Sequence, residues 1–124
     1  MAEVAARVAA ALASADAEAF FDLCTPDLGW GPAGGLAAGC HSRNEALRWY
    51  LAARDKGRRA EVSEVCVAPR AIMVGLRVFD LASGQSALDG VDRWQVMAVR
   101  DGKIADIRGF ELRSEAAAHA GLQG

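Results

Sequence analysis

Residues Val91 to Leu112 read VDRWQVMAVRDGKIADIRGFEL, and this stretch decides the fold. Strand-forming residues lie on both sides of Arg100-Asp101-Gly102-Lys103. An Asp-Gly pair between two such runs is the turn chemistry of a tight hairpin, because both central residues must accept a positive φ. The spacing therefore predicts antiparallel strands over Val91–Val99 and Ile104–Leu112, followed by a helix over Glu115–Ala120 that Ser114 caps and Gly121 stops.

Upstream of the hairpin the same period-two pattern continues. Glu61–Val67 and Ile72–Leu81 read as strands, with turns at Pro69-Arg70 and at Ser83-Gly84-Gln85-Ser86. Before Ala60 the period is helical. Val4, Val8 and Leu12 space out a first helix over residues 3–13, and Ser14 and Asp16 break and cap before a short second helix, Ala17–Cys24, that Pro26 ends. Leu28–Trp30 is a short extended piece, and Gly31 to Gly39 is a Gly-rich loop. Ser42 and Glu45 form a capping-box pattern at the head of a third helix that ends near Lys56-Gly57. Three helices and then a meander of about four strands is an α+β arrangement: a curved antiparallel sheet with three N-terminal helices packed over its concave face. With no internal repeat and no linker, residues 1–124 are expected to form a single domain.

The composition excludes several classes. A formal charge of −2 and a pI near 5.6 give no electrostatic reason to expect nucleic acid or an anionic membrane as partner. Met1–Leu12 is Ala-rich but carries Glu3 and Arg7, so it reads neither as a leader nor as a membrane span, and a cytoplasmic protein is expected. Cys24, Cys40 and Cys66 lack metal-ligand spacing and read as small apolar residues kept reduced. No phosphate-binding Gly loop and no His/Asp/Glu cluster with metal spacing is visible, so neither a cofactor nor a metal is expected.

The order of elements, the loop Trp30-Gly31-Pro32-Ala33-Gly34-Gly35, the segment Gly39–Leu47 entering a helix, and the ending from Val99 through Gly109-Phe110-Glu111 resemble the nuclear transport factor 2-like superfamily, and within it the SnoaL-like group. The resemblance spans residues 3 to 122 and implies a cone with a pocket, cofactor-free chemistry where there is chemistry, and a homodimer through the outer sheet face. Fold membership alone does not name a reaction. Ketosteroid isomerase-like members carry a catalytic Asp before the loop Pro, where this chain has Gly31. The Tyr and protonated Asp that bind the enolate oxygen in those enzymes correspond to Val8 and Gln95. SnoaL-like cyclases use an Asp on the penultimate strand, again at Gln95, and an amide does not shuttle protons at neutral pH. Against the Asp-Arg-Asp set of limonene epoxide hydrolases, Arg77 matches the Arg, Glu111 stands at one acid, and Phe79 replaces the other.

Strand alternation turns the resemblance into a site. With Glu111 pointing inward, Gly109 and Ile107 do so too, joined by Arg93, Gln95, Met97 and Val99 on the neighbouring strand and by Met73, Gly75, Arg77 and Phe79 on the long one. Gly75 and Gly109 then leave room for a ligand, with Trp30 and Tyr50 at the wall. The opposite parity turns Ile72, Val74, Leu76 and Val78 inward and fits a plain core. Under the first parity the expected catalytic set is Glu111 as general acid or base with Arg77 and Gln95 orienting a polar group, and Trp30, Tyr50, Met73, Phe79, Arg93, Met97 and Gly109 contact a small apolar or partly polar ligand. A structural Arg77–Glu111 pair in a non-catalytic binding protein is the alternative, and a partner-binding module a third. Trp49, Trp94 and Val96 are expected away from the pocket. His41 reads as a surface or capping residue, and His119 as a solvent-facing one.

Overall fold

The computed structural model describes residues 2–14, 16–32, 40–55, 57–80 and 90–122. Its elements are α1 (Ala2–Ala13), α2 (Ala17–Asp22), β1 (Cys24–Pro32), α3 (Arg43–Asp55), β2 (Arg58–Val67), β3 (Ala71–Asp80), β4 (Val91–Arg100), β5 (Lys103–Phe110) and α4 (Arg113–Ala120). The five strands form one curved sheet in the order β1-β5-β4-β3-β2. Strands β2 to β5 are the antiparallel meander read from the sequence, while β1 lies parallel to β5 at the end of the sheet. The expected turn at Ser83–Ser86 and most of the Gly-rich loop, residues 33–39, lie outside the described residues.

Local chemistry explains the element ends. Asp101 and Gly102 take φ of 53° and 78°, so Arg100 and Lys103 face each other as the closing pair of the β4–β5 hairpin. The Asp16 carboxylate accepts the Ala19 N–H at 3.0 Å and starts α2. Ser42 Oγ accepts the Glu45 N–H at 3.1 Å, and the Glu45 carboxylate accepts the His41 N–H at 3.4 Å, which closes the capping box one residue earlier than its usual form. At the other end of the chain, Gly121 sits at φ 83°; its N–H reaches Ala118 O at 3.2 Å and the Leu122 N–H reaches Ala117 O at 2.9 Å. That pair of bonds is a Schellman stop.

Three expectations need correction. β1 is a nine-residue strand rather than a three-residue piece, despite Pro26 and two glycines, because it needs only one neighbour and its pairing with β5 shifts register between Cys24 and Gly29. β5 ends at Phe110, so Glu111 and Leu112 are off the strand. α4 starts at Arg113 with Leu112 in the cap position and no side-chain cap, whereas Ser114 was expected there.

The sheet separates two apolar clusters. On the concave face, α1, α2 and α3 contribute Ala5, Val8, Ala11, Phe20, Phe21 and Ala46 against Leu28, Ile72, Val74, Leu76, Met97, Ile104 and Ile107. On the outer face, Ala116, Ala117 and Ala120 of α4 lie on Met73, Val96 and Phe110. At about 1.5–3 kcal/mol for each large side chain removed from water, the first cluster is the main source of stability.

Candidate functional site

Cross-strand register shows which residues share a face. Ile72 pairs with Met97, Met97 with Ile107, and Ile107 with Trp30. All four belong to the concave cluster. The next row along is Val74, Gln95, Gly109 and Pro32, and beyond it Leu76 lies opposite Arg93. Because paired residues project to the same side of a sheet, Gln95 and Gly109 stand side by side on the concave face, one row out from the sealed core. Met97 and Ile107 are fully buried, and in the next row Val74 is too, whereas Gln95 and Gly109 are half-buried, so that row is less covered at its β4 and β5 positions than at β3.

An aromatic wall adjoins this opening. Trp30 of β1 meets Phe21 of α2 at a ring-centroid distance of 5.9 Å and Trp49 of α3 at 5.6 Å. Phe21 in turn meets Tyr50 at 5.9 Å, edge to face. Trp49 is 51 % exposed, which places it at the rim. The side-chain amide of Gln95 makes no hydrogen bond among the described residues. A Cβ built on Gly109 would meet no heavy atom within 4 Å. Gln95 and Gly109 thus lie next to the aromatic residues on the concave face, and the Gln95 amide is a neutral group that both donates and accepts hydrogen bonds.

The parity expected for β3 is reversed. Ile72, Val74, Leu76 and Val78 pack in the concave cluster, and Met73, Gly75, Arg77 and Phe79 project to the outer face. Met73 is fully buried beneath α4, so it lines no recess on the helix-covered side. Gly75 leaves no room for a ligand: a Cβ there would come within 2.7 Å of Ser63 Oγ and 3.1 Å of Trp94 Nε1. Phe79 packs close to Gly90, whose Cβ would meet its ring at 2.7 Å. Arg77 pairs loosely with Asp92, at 3.8 Å, and not with Glu111. Glu111 itself is exposed in the bend after β5. The set Glu111, Arg77 and Gln95 is therefore not brought together, since Arg77 leaves the sheet on the side opposite to Gln95. Arg93 is exposed beyond Gln95, its guanidinium donating to the Asp92 carbonyl at 3.0 Å.

Trp49 is the other correction. Placed away from the pocket by sequence, it stands against Trp30 because α3 crosses β1. Phe21 was missed altogether; the signal was a Phe-Phe pair in a six-residue helix, too large an apolar load for a surface turn.

The outer face carries a different constellation. Glu64 of β2 accepts from Arg113 Nε at 2.7 Å and Nη2 at 3.2 Å, from Trp94 Nε1 at 3.1 Å, and from the Cys66 thiol at 3.6 Å. The Arg113 hydrogen bonds, followed by that of Trp94, hold its carboxyl below the usual value. Val96 is buried under α4, and His119 rests its ring on Phe110 at 5.1 Å, so α4 covers the outer face and not the concave opening. All three cysteines are free thiols. Burial pushes the Cys24 thiol up to about 12, against the opposing pull of Arg43 and Lys103, which leaves it unreactive. Among the described residues no group of His, Cys, Asp and Glu could hold a metal, and no helix is long and apolar enough to cross a membrane.

The sequence matches no family model and no curated protein. Solved structures do match. A cystatin-fold protein from Novosphingobium aromaticivorans superposes with a TM-score of 0.72 at 15% identity, covering 87% of this chain and 95% of that one. A Sinorhizobium meliloti protein proposed to be a polyketide cyclase gives 0.67 at 21% identity, covering 87% and 94%. A Catenulispora acidiphila protein with a ketosteroid isomerase-like fold, solved in complex with trimethylamine, gives 0.68 at 15% identity, covering 98% and 94%.

Proposed function

From the cystatin-like, nuclear transport factor 2-like fold of this chain, we propose that it is a small-molecule-binding protein whose ligand enters the concave face at Gln95 and Gly109. The observation that carries this reading is the Gln95 amide. It has no hydrogen-bond partner among the described residues, and it stands half-buried beside the apolar row of Ile72, Met97 and Ile107, where a molecule arriving from solvent would meet it. A ligand hydroxyl or carbonyl would pair it. Trp30, Trp49 and Tyr50 supply flat apolar contact for the rest of the molecule. That the fold accommodates small organic molecules is supported by the trimethylamine complex of the Catenulispora protein.

Binding without acid–base chemistry is the form the residues favour. Cyclase- or isomerase-type proton transfer needs an ionisable group against the substrate, and among the described residues the polar side chain next to the buried row of this face is an amide. Three free thiols suit a reducing compartment, and the cytoplasm is part of the same proposal.

Titrating the protein with 2-naphthol while following tryptophan fluorescence tests the reading, because Trp30 and Trp49 would report a ring placed beside them. Saturable quenching is expected, weakened about 10-fold or more by Gln95→Leu, since a binding site built for a hydroxyl penalises loss of its partner. Linear, unsaturable quenching by 2-naphthol that Gln95→Leu leaves unchanged would sink the proposal.

A further inference from the structure

Gly109 has no backbone reason to be glycine. It lies inside β5 with Gln95 on one side and Pro32 on the other, and the positive-φ glycines among the described residues are Gly57, Gly102 and Gly121. It has no packing reason either, since a Cβ there meets nothing within 4 Å. Gly75, two strands away, shows what a packing reason looks like: its missing side chain is replaced by Ser63, Glu64 and Trp94. A glycine within a strand weakens it, because the unfolded chain has more freedom to lose and there is no side chain to pack. Gly109 thus carries a stability cost that the fold does not recover.

The one thing the missing side chain leaves is space, on the concave face, directly beside an amide with no hydrogen-bond partner among the described residues. We infer that Gly109 is the size-determining residue of the opening: the ring edge of a flat, uncharged aromatic ligand lies over it, with the ligand's hydroxyl or carbonyl on Gln95 and its apolar body toward Trp30. This inference rests on the ligand-binding reading above. It adds a ligand class, a fused or similarly broad ring system carrying one neutral polar group, and a residue that discriminates it from smaller rings. A side chain at 109 would grow into that slot and exclude broad rings before narrow ones, while the strand itself would gain.

The test is a graded series, Gly109→Ala, Gly109→Val and Gly109→Leu, titrated with 2-naphthol and with phenol and melted in parallel. Tm is expected to stay level or rise by a few degrees in the Ala and Val variants, as a strand glycine is replaced without clash. Affinity for 2-naphthol is expected to fall stepwise, by about 10-fold or more in Gly109→Leu, with phenol affinity within about 3-fold of wild type in Gly109→Ala. Unchanged 2-naphthol affinity in a folded Leu variant, with Gln95→Leu still weakening binding, overturns the inference and leaves the binding reading standing. Absence of saturable binding in the wild-type protein overturns both. Should the Leu variant not fold, Gly109→Ala decides: a drop in its Tm would show that the glycine serves the fold, which also overturns the inference.

Discussion

The two faces of one sheet handle polar groups and glycines in opposite ways. On the outer face the Glu64 carboxylate has Arg113, Trp94 and Cys66 as partners, and Gly75 is glycine because three side chains crowd the place of its Cβ. On the concave face the Gln95 amide has no partner among the described residues and Gly109 faces open space. Both faces bury large apolar residues, so burial alone does not distinguish them. What distinguishes them is whether the polar groups are satisfied. The Glu64 cluster is completed by the chain itself, whereas on the reading proposed above the Gln95 amide and the space at Gly109 are where a second molecule would complete the concave face.

The comparison implies that the concave side is the main core and the outer side a lesser one, and adjacent residues of β3 test it directly. Ile72 and Met73 are both fully buried, one on each face. Ile72→Ala leaves a hole between the sheet and the helical layer and is expected to cost about 3–5 kcal/mol in urea unfolding. Met73→Ala opens a space under an eight-residue helix that presents alanines and can settle, so about 2–3 kcal/mol is expected. The reverse order would mean that α4, not the three-helix layer, anchors the sheet. A smaller effect concerns how α4 is held. Gly121 stops the helix at φ 83° and turns Leu122 back onto the outer cluster. Gly121→Ala should lower stability by about 1 kcal/mol, the cost of forcing a Cβ into the left-handed region.

How far the sequence disclosed this arrangement differs from element to element. The β4–β5 hairpin was legible because Asp101-Gly102 permits few conformations, and α3 because Ser42 and Glu45 mark its first turn. β1 was not. Its Pro26, Gly29 and Gly31 are poor strand formers, and it is a strand only because β5 offers an edge to pair with, which no local pattern records. The facing of β3 was illegible for a different reason. From Ala71 to Leu76 every residue is buried, so both faces are apolar and alternation carries no sign. That ambiguity turned Met73, Gly75, Arg77 and Phe79 toward the wrong side and made a pair of Arg77 and Glu111 that does not form. Gln95, Gly109, Trp30 and Tyr50 come from strands and a helix whose facing was read correctly, and they are the residues on which the proposed site rests. Glu64 was invisible as a hub, since its partners Trp94 and Arg113 are 30 and 49 residues away in sequence.

The smallest expected effect is the most specific to the outer face, and it depends on pH. Hydrogen bonds from Arg113 and then from Trp94 keep the Glu64 carboxyl below its ordinary value of 4.5 in the folded protein, while in the unfolded chain it returns toward that value. A carboxyl depressed on folding contributes stability that is complete above its unfolded value and is lost as pH falls through its folded one. The Glu64 and Arg113 side chains keep 31% and 47% of their surface in water, so solvent screening keeps the whole contribution small. Glu64→Gln keeps the shape, and its oxygen still accepts one hydrogen bond, but it removes the charge. The difference in unfolding free energy between wild type and Glu64→Gln should therefore be constant near pH 7 and shrink as pH falls toward and through 4.5, the value at which the unfolded carboxyl is half protonated. Raising the salt concentration at pH 7 should shrink it as well, as screening weakens the exposed Arg113 pair. A difference that stays flat from pH 7 down to pH 3 would show that the carboxylate holds α4 no better than an amide does. The outer face would then owe its closure to the alanine–Phe110 contact alone.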